Sequence, residues 1–341
     1  MIYSFKNDYS SIAHPLVIKK LIECQNEQNV GYGLDFHTEN AKLLIQDKIK
    51  RDSNIYFLTG GTQTNMITIS SVLKPYEAVI CADTGHINVH ETGAIEGQGH
   101  KVLSIPTLNG KLTVAMIDSI VNKHIDCHMV LPKMVYISNA TETGLVYNKE
   151  EIIDIYNYCQ KNNLYLFIDG ARLASALAAS NTTYEDYGKY CDMFYIGGTK
   201  NGGYIGEALV INNKELAINF EYAIKHFGGM LAKGFVAAIV FEVLMEQNIY
   251  LNIGKKENEC AMYIQEKLKN TGIKFHTESV TNQIFPILNN DILDALYEDF
   301  PFEVWEKLDD KQSVVRFVTS FTTTKHHCDL LVSKIISLLS Q

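Results

Sequence analysis

Residues 195–203 read Tyr-Ile-Gly-Gly-Thr-Lys-Asn-Gly-Gly, an apolar run that breaks into small residues around a single lysine, Lys200. Earlier in the chain, residues 167–172 read Phe-Ile-Asp-Gly-Ala-Arg, and this second apolar run ends at Asp169. A lysine and an aspartate at neighbouring strand ends are the pair that pyridoxal phosphate (PLP) chemistry requires. The lysine amine forms a Schiff base with the cofactor aldehyde, and the carboxylate keeps the pyridine nitrogen protonated so that the ring accepts electrons. Taken singly, Lys200 could be a solvated loop lysine and Asp169 a helix N-cap, so the prediction depends on the two occurring together.

Strands and helices alternate around these two segments. Predicted strands cover residues 55–58, 78–81, 101–105, 134–138, 164–168, 192–196 and 207–211, and predicted helices between them include residues 62–73 and 149–162. Short β-branched and aromatic runs that alternate with helical patterns are typical of a mainly parallel sheet with helices on both faces. Ligands of such sheets bind at the carboxyl ends of strands, which is where Asp169 and the loop of Lys200 fall.

The pattern changes after about residue 215. Predicted helices cover residues 233–248, 254–269 and 290–299 and a stretch from about residue 325, and predicted strands cover residues 283–287 and 314–318. We therefore predict a PLP-binding large domain over residues 1–230, with the N-terminal segment, and a smaller C-terminal α+β domain over residues 231–341. A long helix near the boundary could bridge both parts.

Composition and charge narrow the class of protein. The 341 residues carry a formal net charge of −9 and no basic cluster, which argues against a protein that binds nucleic acid or a membrane surface. The seven cysteines are dispersed and include no C-x-x-C pair, which favours reduced thiols and a cytoplasmic location. The N-terminus lacks the apolar stretch of a signal peptide, and we expect no segment long enough to span a bilayer.

A glycine-rich turn between a predicted strand and a predicted helix is a candidate phosphate site. Residues 59–65 read Thr-Gly-Gly-Thr-Gln-Thr-Asn. Gly60 and Gly61 let backbone N–H groups approach an anion, and the Thr62 hydroxyl can donate a further hydrogen bond. The turn is not a Walker loop, because no Gly-Lys-[Ser/Thr] follows. The alternative is a glycine turn with a threonine N-cap, and phosphate binding is favoured because the turn precedes the aspartate and the lysine in one α/β unit.

His86 follows a predicted strand directly, where it could stack on an aromatic cofactor ring or move protons. His90 is four residues further on, a spacing that would place both imidazoles on one helix face as metal ligands. We predict no metal, because Glu91 is misplaced for a zinc-protease motif and no third ligand is evident. A lone histidine is more often structural, so His86 becomes a site residue only in combination with the other motifs.

Two arginines are candidates for anion binding. Arg316 lies in the apolar run of residues 314–319, where a guanidinium group is costly unless it is paired. It could meet an internal acid, or it could bind a substrate carboxylate as a bidentate fork. Arg172 follows Asp169 closely and could face a carboxylate or the phenolate oxygen of the cofactor.

Four motifs together resemble those of the low-specificity threonine aldolases, which are β-eliminating lyases among the fold-type I PLP enzymes. The motifs are residues 59–65, residues 86–94 (His-Ile-Asn-Val-His-Glu-Thr-Gly-Ala), residues 169–173 (Asp-Gly-Ala-Arg-Leu) and residues 198–200 (Gly-Thr-Lys). They occur in the order of the family, and the likeness covers nearly the whole chain, including residues 227–230 and 316–319. The resemblance implies an α/β, transferase-like fold of type I, with a mainly parallel sheet in a large domain and a smaller α+β domain.

The resemblance also implies how the cofactor is held. Lys200 would carry the Schiff base, Asp169 would pair with the pyridine nitrogen, and His86 would stack on the ring. Arg172 would lie near the phenolate oxygen. The phosphate would be held in the glycine-rich turn, by Gly60, Gly61 and Thr62.

Further implied contacts involve the substrate and a second subunit. Asn7, Arg172 and Arg316 would bind the substrate α-carboxylate. Fold-type I enzymes commonly build each active site from two subunits, so the resemblance implies a homodimer or a homotetramer. Many relatives place an arginine after a Gly-Gly-Met near a neighbour's cofactor phosphate, whereas here Leu-Ala follows and Lys233 is the nearest cation.

A second departure concerns the β-hydroxyl of the substrate. Threonine aldolases usually carry a histidine that contacts it, in the segment that corresponds to residues 139–143, and this chain has none there. Thr141 or Glu142 would have to serve instead. We assign removal of the hydroxyl proton to His86, with Glu142 as the alternative base.

From these motifs we predict a PLP-dependent lyase that cleaves a β-hydroxy-α-amino acid, threonine-like, to glycine and an aldehyde. Within the same class, the alternative is β-elimination or transamination of another amino acid. Outside it, the alternative is a catalytically weak protein of this fold that binds the cofactor or a partner.

Overall fold

A mixed sheet forms the larger layer of the computed structural model, which describes residues 1–340. Its strands are β1 (Asn54–Leu58), β2 (Glu77–Ala82), β3 (Lys101–Ile105), β4 (Leu131–Ser138), β5 (Tyr165–Asp169), β6 (Met193–Gly197) and β7 (Glu207–Ile211). They lie in the order β1-β7-β6-β5-β4-β2-β3. The pairs within β2 to β6 are parallel, whereas β7 runs antiparallel to its neighbours β6 and β1. The mainly parallel central sheet that the sequence predicts is confirmed.

Helices cover both faces of this sheet. In chain order they are α1 (Pro15–Glu23), α2 (Phe36–Ile49), α3 (Gly61–Val72), α4 (His86–Val89), α5 (Val114–Val121), α6 (Lys149–Lys161), α7 (Leu173–Ala179), α8 (Tyr184–Lys189), α9 (Phe220–His226), α10 (Phe235–Met245) and α11 (Ile249–Lys269). Alternate strand residues face opposite layers. Val79 and Cys81 of β2 pack in the core with α3 and α9, and Ala78 and Ile80 pack in the core with α2, α6 and α10. Burial on both faces explains why β2 reads as a continuous apolar run.

A smaller antiparallel sheet lies toward the C-terminus. Its strands are β8 (Gln283–Ile284), β9 (Ile287–Asn289), β10 (Glu303–Lys307) and β11 (Gln312–Val318), and the helices α12 (Leu293–Asp299) and α13 (Lys325–Leu339) complete the layer. Strand β11 is central and pairs with β10 on one side and with β8 and β9 on the other. The sequence analysis did not predict β10, whose Glu-Val-Trp-Glu-Lys sequence lacks a buried apolar face and lies at the edge of the sheet.

Helix α11 belongs to both layers, and the N-terminal segment packs on the small C-terminal layer. Helix α11 packs Ile253 in the core of the large sheet and Ala261 in the core of the small layer. Phe5 also lies in the small core, and its carbonyl oxygen accepts a hydrogen bond from the N–H of Val318 at 2.8 Å. The domain limits at residues 1–230 and 231–341 stay a prediction, and α10, which follows the limit, packs in the core of the large sheet.

The expectation that no segment could span a bilayer needs a correction. Residues 235–269, which include α10 and α11, contain an 18-residue window with a mean hydropathy of 1.3, which is long and apolar enough to span a bilayer by length and composition. In the structure 61% of that window is buried inside the protein. Left-handed backbone at Gln247 and Asn248 (φ 46° and 60°) separates the two helices. Packing against the sheet accounts for the apolar composition, because a helix buried in a core is hydrophobic all round.

Candidate active site

A cleft opens at the carboxyl ends of the central strands. Predicted site residues that line it are Gly60, Gly61, Thr62, His86, Glu142, Asp169, Arg172 and Lys200. They come from separate strand-end loops, so the fold brings together what the sequence holds far apart. Within residues 1–340, three predicted substrate contacts do not line this cleft: Asn7, Thr141 and Arg316.

Asp169 ends β5 with a buried carboxylate that several donors hold in place. The hydroxyls of Tyr136 and Tyr195 each donate to one of its oxygens at 2.5 Å, and the N–H of Ala171 donates at 2.9 Å. Burial raises the pKa of Asp169, but the attraction of His86 and these hydrogen bonds outweigh burial and hold the pKa below its ordinary value. The carboxylate is therefore ionised at neutral pH and can pair with a protonated ring nitrogen.

Lys200 lies in the turn that follows β6. The side-chain amide of Asn201 fixes this turn by donating to the carbonyl oxygens of Gly197 at 2.7 Å and Ala171 at 2.9 Å. Burial lowers the pKa of Lys200, and the neighbouring charge of Arg172 lowers it further. An amine with a lowered pKa is uncharged for a larger fraction of the time, as a nucleophile requires.

The glycine-rich turn leads into α3, whose first residue is Gly61. Among the described residues, no side chain caps this helix start, and the N-cap residue is Gly60. The free N–H groups of the first turn and the positive end of the helix dipole are thus available to an anion in the cleft. A Cβ atom at Gly61 would lie 3.1 Å from the hydroxyl of Tyr195, so a larger residue would crowd the group that holds the aspartate.

His86 begins α4 and is oriented by an acid that the sequence analysis did not predict as a partner. Its Nδ1–H donates to Oε1 of Glu91 at 2.8 Å. The amide of Asn65 donates to the same oxygen at 2.7 Å and to Asp169 at 3.2 Å. This network joins the candidate ring-stacking histidine to the candidate pyridinium partner.

Of the two residues predicted to replace the missing histidine, the structure brings Glu142 to the cleft. Its Oε1 accepts hydrogen bonds from the hydroxyl of Ser138 at 2.6 Å and from the backbone N–H of His86 at 3.1 Å. Burial raises the pKa of Glu142 above its ordinary value, which makes its carboxylate a stronger base than an exposed one. Thr141 is 1% exposed, and its hydroxyl oxygen accepts from the N–H of Leu145, so this residue serves the turn.

Arg172 is held by the buried carboxylate of Asp8, the residue that follows the predicted substrate contact Asn7. Its Nε and Nη2 groups donate to the two oxygens of Asp8 at 2.7 and 3.2 Å, and the amide of Asn282 donates to Asp8 at 2.9 Å. Burial raises the pKa of Asp8, but Arg172 and the hydrogen bonds hold it below its ordinary value. Asn7 instead accepts from the N–H of Tyr9 at 3.0 Å and closes a local turn.

Arg316 meets an internal acid, which was the first of the two alternatives. It faces Glu303 across the β10–β11 pair, and the two side chains form an ion pair. Its Nη1 also donates to Gln283 at 3.3 Å, and its guanidinium group lies 5.3 Å from the ring centre of Trp305. The sequence could not decide between the alternatives, because the partner comes from the strand that was not predicted.

Glu207 begins β7 and lines the cleft beside Lys200, although the sequence analysis gave it no role. One of its carboxylate oxygens accepts a hydrogen bond from the N–H of Gly198 at 2.8 Å. Burial raises the pKa of Glu207 to about 7. This carboxyl therefore changes its charge near physiological pH.

We expect Glu207→Gln to change how stability depends on pH. Because the folded protein binds the Glu207 proton more tightly than an unfolded chain does, this group stabilises the fold fully below pH 4.5, and the effect is lost as pH rises through about 7. Each pKa unit corresponds to about 1.4 kcal/mol, so the wild type should lose about 2–3 kcal/mol relative to the variant between pH 5 and pH 8. Glutamine does not titrate and can still accept from Gly198.

Urea unfolding of both proteins across this pH range measures the difference. Cofactor-free protein is the right material, because a cofactor bound to the neighbouring lysine changes the charge beside Glu207. Parallel pH profiles for the two proteins would contradict the assignment.

The residues that sequence reasoning missed are partners of the predicted ones. They are Asp8, Asn65, Glu91, Tyr136, Tyr195 and Glu207. A buried tyrosine in an apolar strand needs a partner for its hydroxyl, so Tyr136 and Tyr195 carried a usable signal. Asp8 carried none, because its partner Arg172 lies far away in the sequence. Glu91 and Glu207 meet groups five and nine residues away, but no motif marks these contacts.

The donor set of the cleft fits PLP. Lys200 provides a buried amine for an aldehyde, Asp169 an ionised carboxylate for a pyridine nitrogen, and the uncapped start of α3 provides N–H groups for a phosphate. His86 provides an imidazole in the same cleft. An amine for the aldehyde, an acid for the ring nitrogen and a phosphate site are the groups that PLP requires.

Comparisons with known proteins extend over both layers. The family described as beta-eliminating lyase matches residues 18–291. A low specificity L-threonine aldolase from Pseudomonas aeruginosa is 30% identical over 295 residues, or 85% of each chain, and one from another Pseudomonas strain is 32% identical over 271 residues, or 78% of each chain. The solved structure of a threonine aldolase from Leishmania major matches with a TM-score of 0.97 at 44% identity and covers 99% of each chain.

Proposed function

The chain belongs to the beta-eliminating lyase family of PLP-dependent enzymes, and we propose that it cleaves a β-hydroxy-α-amino acid such as threonine to glycine and an aldehyde. One observation carries the proposal: Lys200, Asp169 and His86 meet in a single cleft with a further acid, Glu142. When bound there, PLP supplies the electron sink for the Cα–Cβ bond that breaks.

The residues of the cleft divide the work of binding and orientation. Lys200 would hold the cofactor covalently through Nζ, and Asp169 would keep the pyridine nitrogen protonated. His86 would lie against the ring, and Glu91 fixes which of its nitrogens carries the proton. Gly60, Gly61 and Thr62 at the start of α3 would hold the phosphate.

Recognition of the substrate carboxylate falls first to Arg172. Asp8 occupies its Nε and Nη2 groups, which leaves Nη1 for the substrate. Arg316 is the second candidate, and a carboxylate there would have to compete with Glu303 for the guanidinium group. The side chain of Asn7 bonds within its own turn, so we assign it no direct contact with the substrate carboxylate. Its neighbour Asp8 orients Arg172 instead.

We assign acceptance of the hydroxyl proton to Glu142, a carboxyl group in the cleft whose pKa is raised above its ordinary value by burial. We expect Glu142→Gln to lower aldehyde release by roughly 10²- to 10⁴-fold, the range that proton transfer by a positioned group supplies. Glutamine keeps an acceptor for Ser138, so the local fold and bound cofactor should persist. Rates with threonine and allo-threonine, together with cofactor absorbance, measure this. Unchanged aldehyde release would exclude Glu142 and return the role to His86.

Product analysis tests the overall reaction. Cofactor-loaded protein is incubated with threonine, allo-threonine, phenylserine and a panel of other amino acids, and the products are identified. Glycine and an aldehyde in equal amounts are expected from the first three. Ammonia and a keto acid from other amino acids, without glycine, would replace the proposal with β-elimination. Cofactor binding with no product would indicate a binding protein of this fold.

We further propose a homodimer or homotetramer. The turn before α2 and the start of that helix expose large apolar side chains, including Val30, Leu34 and Phe36, at 66–76% of their surface. Isolated chains rarely leave such groups uncovered. Lys233 is exposed in the same region and remains the candidate that reaches a neighbouring site. Light scattering that finds an active monomer would contradict this.

The proposed partner is a small amino acid, and the proposed location is the cytoplasm. We propose no nucleic-acid or membrane partner. Support for the location comes from the cysteines, all seven of which lie within residues 1–340 as free thiols. Fractionation of cells that produce the protein tests the location.

A further inference from the structure

Outside the cleft, side chains of metal-binding types gather where the connection between α1 and α2 meets α10. Cys24 directly follows α1, Glu27 lies in the connection, and His37 lies in the first turn of α2. One Sγ, one carboxylate oxygen and one imidazole nitrogen of these residues lie within 4.8 Å of one another. We propose that Cys24, Glu27 and His37 bind a divalent cation of the zinc class.

Hydrogen bonds to Glu242 orient the imidazole of His37 for metal binding. Nδ1 of His37 donates to Oε2 of Glu242 at 2.8 Å, and the amide of Asn40 donates to the other oxygen of Glu242 at 2.6 Å. Glu242 is 2% exposed in α10 and has no freedom to turn away. A metal-binding histidine usually donates its other nitrogen to a carboxylate in this way, which fixes the tautomer and the ring orientation. Nε2 is thereby directed at Glu27, and its lone pair is the one left for a cation.

The ligand types and their access suit zinc. Thiolate, imidazole and carboxylate are the ligands that zinc takes, and three protein ligands leave a fourth position for water. Nε2 of His37 and an oxygen of Glu27 are 2.6 Å apart, whereas two ligands of one tetrahedral zinc are about 3.3 Å apart. Glu27 can retreat by this difference, because 48% of its side chain is exposed. Coordination would form a sulfur–zinc bond and release the thiol proton to water.

A cation bound here would stabilise the connection between α1 and α2, which carries the exposed apolar side chains of the proposed interface. Its ligands span only residues 24–37, and Glu242 anchors the cluster to α10, which packs in the core of the large sheet. A cation here therefore orders a surface segment without entering the cleft. This proposal does not depend on the reaction, and its test needs no substrate.

Metal binding to the holoenzyme tests the proposal. After treatment with a chelator, the protein is titrated with Zn²⁺ in competition with a chromophoric chelator, and separately with Co²⁺ in difference spectra. We expect one cation per chain and a thiolate-to-cobalt absorption band. Cys24→Ser should abolish the band, and Glu27→Gln should weaken binding at least tenfold. Glu242→Gln should keep the stoichiometry and weaken binding by about 10- to 100-fold, as loss of an outer carboxylate does.

Matched controls separate this site from general metal binding. Cys127→Ser removes an exposed thiol and Glu39→Gln an exposed carboxylate of α2, and both should bind Zn²⁺ as the wild type does. Zn²⁺ should raise the Tm of the wild type and of both controls but not that of Cys24→Ser. The proposal is overturned if the wild type binds no zinc, or if the variants and the controls bind alike. The cluster would then be a protonated His37 held between two carboxylates.

Discussion

Lys200→Ala is expected to abolish covalent attachment of the cofactor and to lower turnover by roughly 10²- to 10⁴-fold or more, since it removes both a covalent group and a proton carrier. The wild type should absorb in the visible, and borohydride should fix the cofactor on Lys200. In the variant, the phosphate turn and Asp169 remain, so the cofactor should still bind, but reversibly and without that band. Burial lowers the pKa of this lysine, which favours the uncharged amine that forms the Schiff base.

Lys189→Ala provides the matched control. Lys189 ends α8 and is exposed, so its loss should leave the visible band and the rate unchanged. Peptide mapping after borohydride reduction decides the assignment. A reduced adduct on any lysine other than Lys200 would remove it from the proposed role.

The sequence predicted the large sheet well because buried parallel strands are apolar at successive positions. The run 207–211 was predicted with the bounds that β7 has, and the strand that ends at Asp169 was displaced by one residue. Because the loops begin where these strands end, predicting the strands also placed Lys200, Asp169 and the phosphate turn at the carboxyl edge of the sheet. Strand β10 escaped prediction because its side chains are mostly charged or exposed.

Several partners of the site residues could not be predicted, because they are set by packing between distant segments. Asp8 reaches Arg172 only because the N-terminal segment pairs with the small layer. Glu303 reaches Arg316 only through the register of an edge strand. Local patterns report burial and helix ends, and they carry no information on which distant acid compensates a buried guanidinium group.

Asp169→Asn is expected to keep the fold and the bound cofactor but to lower turnover by about 10³-fold. Opposite charges at about 4 Å attract by about 4 kcal/mol at an effective dielectric constant of 20, and a loss of this size in the transition state slows a reaction about 10³-fold. Asparagine has nearly the same shape, and its oxygen can still accept a hydrogen bond from Tyr136 or Tyr195. It cannot hold the pyridine nitrogen protonated, however, because a neutral amide lacks the charge.

Tyr136→Phe distinguishes the charge from its hydrogen bonds. This change removes one donor to Asp169 but leaves the carboxylate, the second tyrosine and the N–H of Ala171 in place. The pKa of Asp169 should rise, because a hydrogen bond to the ionised form is lost, and the rate at neutral pH should fall far less than in Asp169→Asn. Equal cofactor content and circular dichroism across the three proteins would establish that the charge is what differs. Near-normal turnover of Asp169→Asn would show instead that the ring nitrogen needs no carboxylate here, and the electron sink would have to be explained without it.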